Sequence, residues 1–108
     1  LREVLGRDLT DEIIRDSAIQ RFEFTLDIAW KVVKTYLYNE KGIVVRSPKE
    51  ALREAYKQGI IPFDNDWIVL VDARNETVHT YNQKKAEEIA ALLPHAVELF
   101  EQLLESLG

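Results

Sequence analysis

The sequence predicts an all-α protein, an antiparallel up-and-down four-helix bundle with an additional short helix. Three observations carry this. Apolar residues recur at spacings of three and four over long stretches. No segment sustains the apolar–polar alternation of a strand. Only four glycines and three prolines punctuate 108 residues, and no Asn-Gly or Asp-Gly pair marks a hairpin.

Residues 1–9 precede the first capping signal and offer a short first helix. The chain holds no methionine, so the natural N-terminus is expected to be missing and this helix incomplete. Thr10 can cap the next helix, with Asp11 and Glu12 in the acid-favouring first turn. That helix is expected to run to about Glu40 with an apolar stripe of Ile19, Phe22, Leu26, Ala29, Val33 and Tyr36. Gly42 ends it.

Ser47-Pro48-Lys49-Glu50 is a capping box with proline at the first helical position. The short helix behind it carries Leu52, Ala55 and Tyr56 and stops at Gly59. A connector, Ile60 to Asp64, contains Pro62. Asn65 or Asp66 caps a helix that begins at Trp67 and reaches roughly Asn82. The last helix spans about Gln83 to Leu107, with the stripe Ala86, Ala90, Leu93, Val97, Phe100, Leu104 and Leu107. Pro94 within it predicts a kink or one missing backbone hydrogen bond.

The length fits one domain over residues 1–108, with no repeat or internal boundary. The hydrophobic fraction of 46% is enough for a core and too high for disorder. A domain this small leaves much surface uncovered, which favours a dimer or a partner. The absence of cysteine excludes disulfides, thiolate metal sites and a cysteine nucleophile. No apolar run reaches membrane-span length, and a cytoplasmic location is expected. The net charge of −5 argues against broad electrostatic binding of nucleic acid unless basic residues cluster locally. Arg46, Lys49, Arg53 and Lys57 are candidates for such a cluster, but a solvated helix face explains them better.

The chemistry lies in the stretch Asp72-Ala73-Arg74-Asn75-Glu76-Thr77-Val78-His79-Thr80-Tyr81-Asn82. At about 100° per residue, Asp72, Asn75 and His79 share one helix face, while Arg74 and Tyr81 share another. Arg74 and His79 diverge by about 140°, so one chain aims them poorly at a common target. Two chains about a two-fold axis bring both pairs to one cleft. A neutral imidazole can take the proton of a ribose 2′-hydroxyl, and the imidazolium can protonate the leaving oxygen. An arginine fork suits the phosphate. Asn75 can orient His79 or contact the phosphate. The same residues also admit plainer roles: a structural histidine, an ion-paired Arg74, a core-edge Tyr81. His95 has no matching metal-ligand spacing, and neither a metal nor a cofactor is expected.

The Arg74-x4-His79-x-Tyr81 spacing, with polar Asn75 after the arginine, resembles the signature of the HEPN superfamily. Asp16 to Lys31 resembles the long helix of its nucleotidyltransferase substrate-binding protein family. Ser47-Pro48-Lys49-Glu50-Ala51-Leu52-Arg53 and Gly59-Ile60-Ile61 resemble the short helix and turn of that family. The likeness extends from about Leu9 to Leu104. It implies a four-helix bundle that forms a homodimer and works with a minimal nucleotidyltransferase encoded beside it. It also implies two accounts of function. In one, the chain is an endoribonuclease toxin whose active site forms across the dimer from Arg74 and His79, and it is silenced when the nucleotidyltransferase transfers AMP to Tyr81; the reading of the helix face adds Asn75 as a catalytic candidate and Asp72 as a supporting residue. In the other, it is the non-catalytic substrate-binding subunit of a two-chain nucleotidyltransferase. The chain has no Gly-rich phosphate cradle, so it is not expected to be the nucleotidyltransferase itself.

Overall fold

A computed structural model describes residues 11–62, 65–79 and 82–107, apart from the side chains of Val78 and His79. The expected first helix, the Thr10 cap and Tyr81 lie outside the described residues. Four helices and no strands are found among them: α1 (Glu12–Lys41), α2 (Pro48–Lys57), α3 (Asp66–His79) and α4 (Gln83–Leu107). The predicted all-helical bundle is the architecture observed. α1 packs against α2 and α4, and α3 packs against the same two, so the helices close a ring and the short α2 occupies one corner.

The helix ends follow local chemistry. Asp11 caps α1, its carboxylate accepting from the backbone N–H groups of Ile13 at 2.9 Å and Ile14 at 3.2 Å. Gly42 ends α1 with φ 67°, a left-handed conformation that a side chain would strain. Its N–H reaches the Tyr38 carbonyl at 3.0 Å, and Ile43 N–H reaches Leu37 at 3.0 Å. Ser47 Oγ accepts from Glu50 N–H at 3.2 Å, and the Glu50 carboxylate accepts from Arg46 N–H at 3.2 Å. The box therefore closes one residue earlier than the standard reciprocal pair. Asn82 does not extend α3. Its Oδ1 accepts from Lys85 N–H at 2.9 Å, and its carbonyl accepts from Ala86 N–H at 2.9 Å, so it caps α4.

The core runs along the ring axis. Phe22 of α1, Phe100 of α4 and Trp67 of α3 meet there, with ring centroids 6.4 Å apart for Phe22–Phe100 and 5.7 Å for Trp67–Phe100. Ile19, Leu26, Val33 and Leu37 continue the α1 side of it. The buried face of α4 is turned from the expected stripe. Ala86, Leu93, Val97 and Phe100 are buried as expected, but Ile89, Ala96, Leu99 and Leu103 face inward with them, and Leu104 is 69% exposed. Stripes of period seven through Ala86, Leu93 and Phe100 differ only in their intermediate positions. Burying Ile89 removes more apolar surface from water than burying Ala90.

Pro94 lies inside α4 without ending it. It has no N–H to give to the Ala90 carbonyl. His95 beside it ties the bundle together: Nε2 is 2.9 Å from Asp66 at the start of α3, and Nδ1 is 3.2 Å from Glu98.

Candidate functional site

The site is built on the second half of α3. Residues 65, 68, 72, 75 and 79 recur at intervals of three and four, so Asn65, Ile68, Asp72, Asn75 and the backbone position of His79 form one row along this helix. Two ion-paired crossings hold the helix on either side. Lys49 Nζ of α2 is 2.5 Å from Asp72 Oδ1. Lys85 of α4 contacts Glu76 and lies 3.0 Å from Glu88. The hydrogen bonds from Lys85 to Glu76 and then Glu88 raise its pKa above the ordinary lysine value.

Arg74 is half-buried on the flank of α3 that faces α1. Its Nη1 lies 3.4 Å from Asn75 Oδ1, at the long end of hydrogen-bonding distance. Below it, the Thr77 hydroxyl stands 2.7 Å from the Arg74 carbonyl and 3.2 Å from a Glu23 carboxylate oxygen on α1. One turn along α1, Asp27 accepts from Trp30 Nε1 at 3.2 Å and pairs with Lys31 at 2.9 Å. The Asp27 carboxyl is held below the usual carboxylate range, chiefly by the hydrogen bond from Lys31. Trp30, the Lys31 charge and the Arg74 charge push it the same way, against partial desolvation. Arg74 thus sits in the field of an α1 carboxylate while its side chain reaches toward Asn75.

The structure brings Arg74 and Asn75 together. Asp72 shares the row of Asn75, but its carboxylate is turned to Lys49. The His79 side chain and Tyr81 lie outside the described residues. Reading the sequence missed Glu23 and Asp27. Their spacing of four on α1, at the border of an apolar stripe, is the signal that would have marked them. Among the described residues, no group of three His, Cys, Asp or Glu side chains converges in the manner of metal ligands.

Beside the site, α1 exposes a second apolar row: Phe24 at 60%, Ile28 at 62% and Val32 at 45%. Asp27, whose carboxyl feels the Arg74 charge, precedes Ile28 of this row in sequence. No helix among the described residues is long and apolar enough to cross a membrane.

Comparison with known proteins gives three findings. The family described as "nucleotidyltransferase substrate binding protein like" matches residues 1–108. A curated Haemophilus influenzae protein, "Probable ribonuclease HepT", is 34% identical over 93% of this chain and 74% of its own length. A crystal structure of a Thermus thermophilus protein superposes with a TM-score of 0.79 at 38% identity, covering 86% of this chain and 80% of that one.

Proposed function

Because the chain belongs to the nucleotidyltransferase substrate binding protein-like family, we propose that it is a HEPN-type, metal-independent endoribonuclease, a toxin held in check by a nucleotidyltransferase partner. The observation that carries this reading is the pairing of Arg74 with Asn75 on a helix whose row ends at His79, in a chain similar to a protein described as a ribonuclease.

The chemistry follows from the side chains. His79 takes the proton of a ribose 2′-hydroxyl, and the 2′-oxygen attacks the adjacent phosphorus. The imidazolium then protonates the departing 5′-oxygen. The products are a 2′,3′-cyclic phosphate and a free 5′-hydroxyl. Arg74 neutralises the charge that builds on the phosphoryl oxygens, and Asn75 holds the Arg74 fork or the phosphate. Asp72 supports this by fixing α3 to α2 through Lys49 rather than by touching substrate.

A homodimer completes the site in this reading. The Phe24–Ile28–Val32 row supports it, because it is apolar and exposed among the described residues, and Asp27, whose carboxyl feels the Arg74 charge, precedes Ile28 in sequence. Two copies packed on this row bring two Arg74 sites near one axis. Regulation is by transfer of AMP to Tyr81 by the partner enzyme. The adenylate is bulky and anionic and competes with RNA for Arg74. Action on cellular RNA and control by such an enzyme both call for a cytoplasmic location.

The family description favours a second reading, in which the chain presents substrate to the nucleotidyltransferase and cleaves nothing. The purified protein, incubated with RNA without added metal beside a His79→Ala control, separates the two. Fragments ending in 2′,3′-cyclic phosphate that disappear in the variant support the ribonuclease. Intact RNA in both favours the substrate-binding subunit.

A further inference from the structure

A groove of about 320 Å³ opens between α2 and the start of α3, away from Arg74. Its floor is apolar: Leu52, Ile61, Pro62, Trp67 and Ile68. Its rim is not. Arg53 and Lys57 stand one turn apart on α2, both exposed, and Tyr56 between them is 49% exposed. Asn65 closes the α3 side.

Among the described residues, some cations of the bundle are neutralised by acids and others, Arg53 and Lys57 included, are not. Lys31, Lys49 and Lys85 are each paired to a carboxylate. The acids of α2 are engaged locally, Glu50 with the Arg46 N–H and Glu54 with Gln58. Arg53 and Lys57 make no ion pair among the described residues, although the chain carries a net charge of −5. An aromatic ring flanked by two cations over an apolar hollow offers a stacking face and phosphate contacts together. The hollow is of small-ligand size and too small for a helix.

Its position connects it to the site. Asn65 and Ile68, which line the groove, begin the same α3 row that continues through Asp72 and Asn75 to His79. From Asn65 to His79 this row rises about 21 Å, a distance that a few nucleotides of single strand can span.

We propose that this groove receives a base of single-stranded RNA, stacked on Tyr56, with Arg53 and Lys57 on the flanking phosphates, while the scissile phosphate lies at Arg74. This deepens the ribonuclease reading and rests on it.

The test is fluorescence anisotropy with a mixed-sequence 2′-O-methyl oligoribonucleotide, whose blocked 2′-oxygen prevents cleavage, over a range of salt concentrations. Arg53→Ala/Lys57→Ala is expected to weaken binding at least ~tenfold and to reduce the slope of log K against log salt by about 1.4, the loss of two phosphate contacts. Tyr56→Ala is expected to weaken binding about tenfold and leave the slope unchanged. All three side chains are exposed, and circular dichroism checks that the variants fold. Absence of binding by the wild type overturns the proposal. So does unchanged affinity and slope in the double variant, including the case where that variant has lost its hold on a protein partner instead. Cleavage of unmodified RNA is scored separately. A wild type that binds through the groove but does not cleave overturns the ribonuclease reading and leaves the groove. A wild type that cleaves, with KM unchanged in the double variant, overturns the groove and leaves the ribonuclease.

Discussion

Lys49 and Asp72 join α2 to α3 through a contact of 2.5 Å between Nζ and Oδ1, with the lysine 37% and the aspartate 50% exposed. Exposed pairs of this kind contribute at most about 1 kcal/mol. Asp72→Asn is therefore expected to lower stability by less than ~1 kcal/mol in urea denaturation. Its cleavage rate is expected to stay within about threefold of wild type, less than the tenfold that about 1.36 kcal/mol of lost transition-state stabilisation would cause. A loss of a hundredfold would instead make the carboxylate part of the chemistry.

Arg74 is a different case, since its proposed work depends on the shape of the guanidinium. A lysine keeps the charge but loses the planar fork that matches two phosphoryl oxygens. Arg74→Lys is expected to reduce kcat by roughly a hundredfold, with KM changed far less, in the range found when an electrostatic donor is removed from a transition state. Its melting temperature should match the wild type. A fall in melting temperature that accompanies the loss of kcat would point to a structural arginine.

Asp27 gives a pH prediction whose sign is fixed by the direction of its shift. Its folded pKa lies below the ordinary value of 3.8. The stability it contributes is therefore present above that value and is lost as pH falls through the folded pKa. Asp27→Asn is expected to be slightly less stable than wild type at neutral pH, and the gap should close in acid. Because the group is largely solvated, the gap should also shrink in high salt. A gap that widens below pH 3.8 would reverse the assignment.

If the dimer uses the Phe24–Ile28–Val32 row, a charge at its centre should break it. Ile28 is 62% exposed in the single chain, so aspartate there costs little in folding. Ile28→Asp is expected to give a folded monomer by light scattering, with cleavage reduced at least ~tenfold because the paired site is lost. A variant that remains dimeric would place the interface on another face.

Much of this fold could be read from local signals, and what could not be read has a physical cause. Ser47, Pro48, Glu50, Gly42 and Gly59 act on their own neighbours, and each marked its helix end correctly. Asn82 misled because a polar residue between two helices suits the end of one and the cap of the next, and only the Lys85 N–H contact decides. Of the site, the order of residues on α3 was visible, but two things were not. Asp72 and Lys49 are distant in sequence, so their ion pair depends on how the ring closes, as does the placing of the Arg74 charge in the field of Asp27.

The α4 stripe carries the same lesson and a direct test. Leu103 is 3% exposed and Leu104 is 69% exposed, although the sequence pattern nominated Leu104 for the core. Adjacent leucines in a helix differ in direction by about 100°, so only one can face the ring axis. Truncation of a buried leucine removes its transfer energy and leaves a cavity, whereas an exposed one leaves neither. Leu103→Ala is expected to cost about 2–5 kcal/mol in urea denaturation. Leu104→Ala should stay within about 0.5 kcal/mol of wild type. The reverse order would mean that α4 is rotated toward the stripe that the sequence suggested. If Leu104 is instead covered by a second copy, its truncation would weaken dimerisation at low concentration and leave the unfolding of the monomer unchanged.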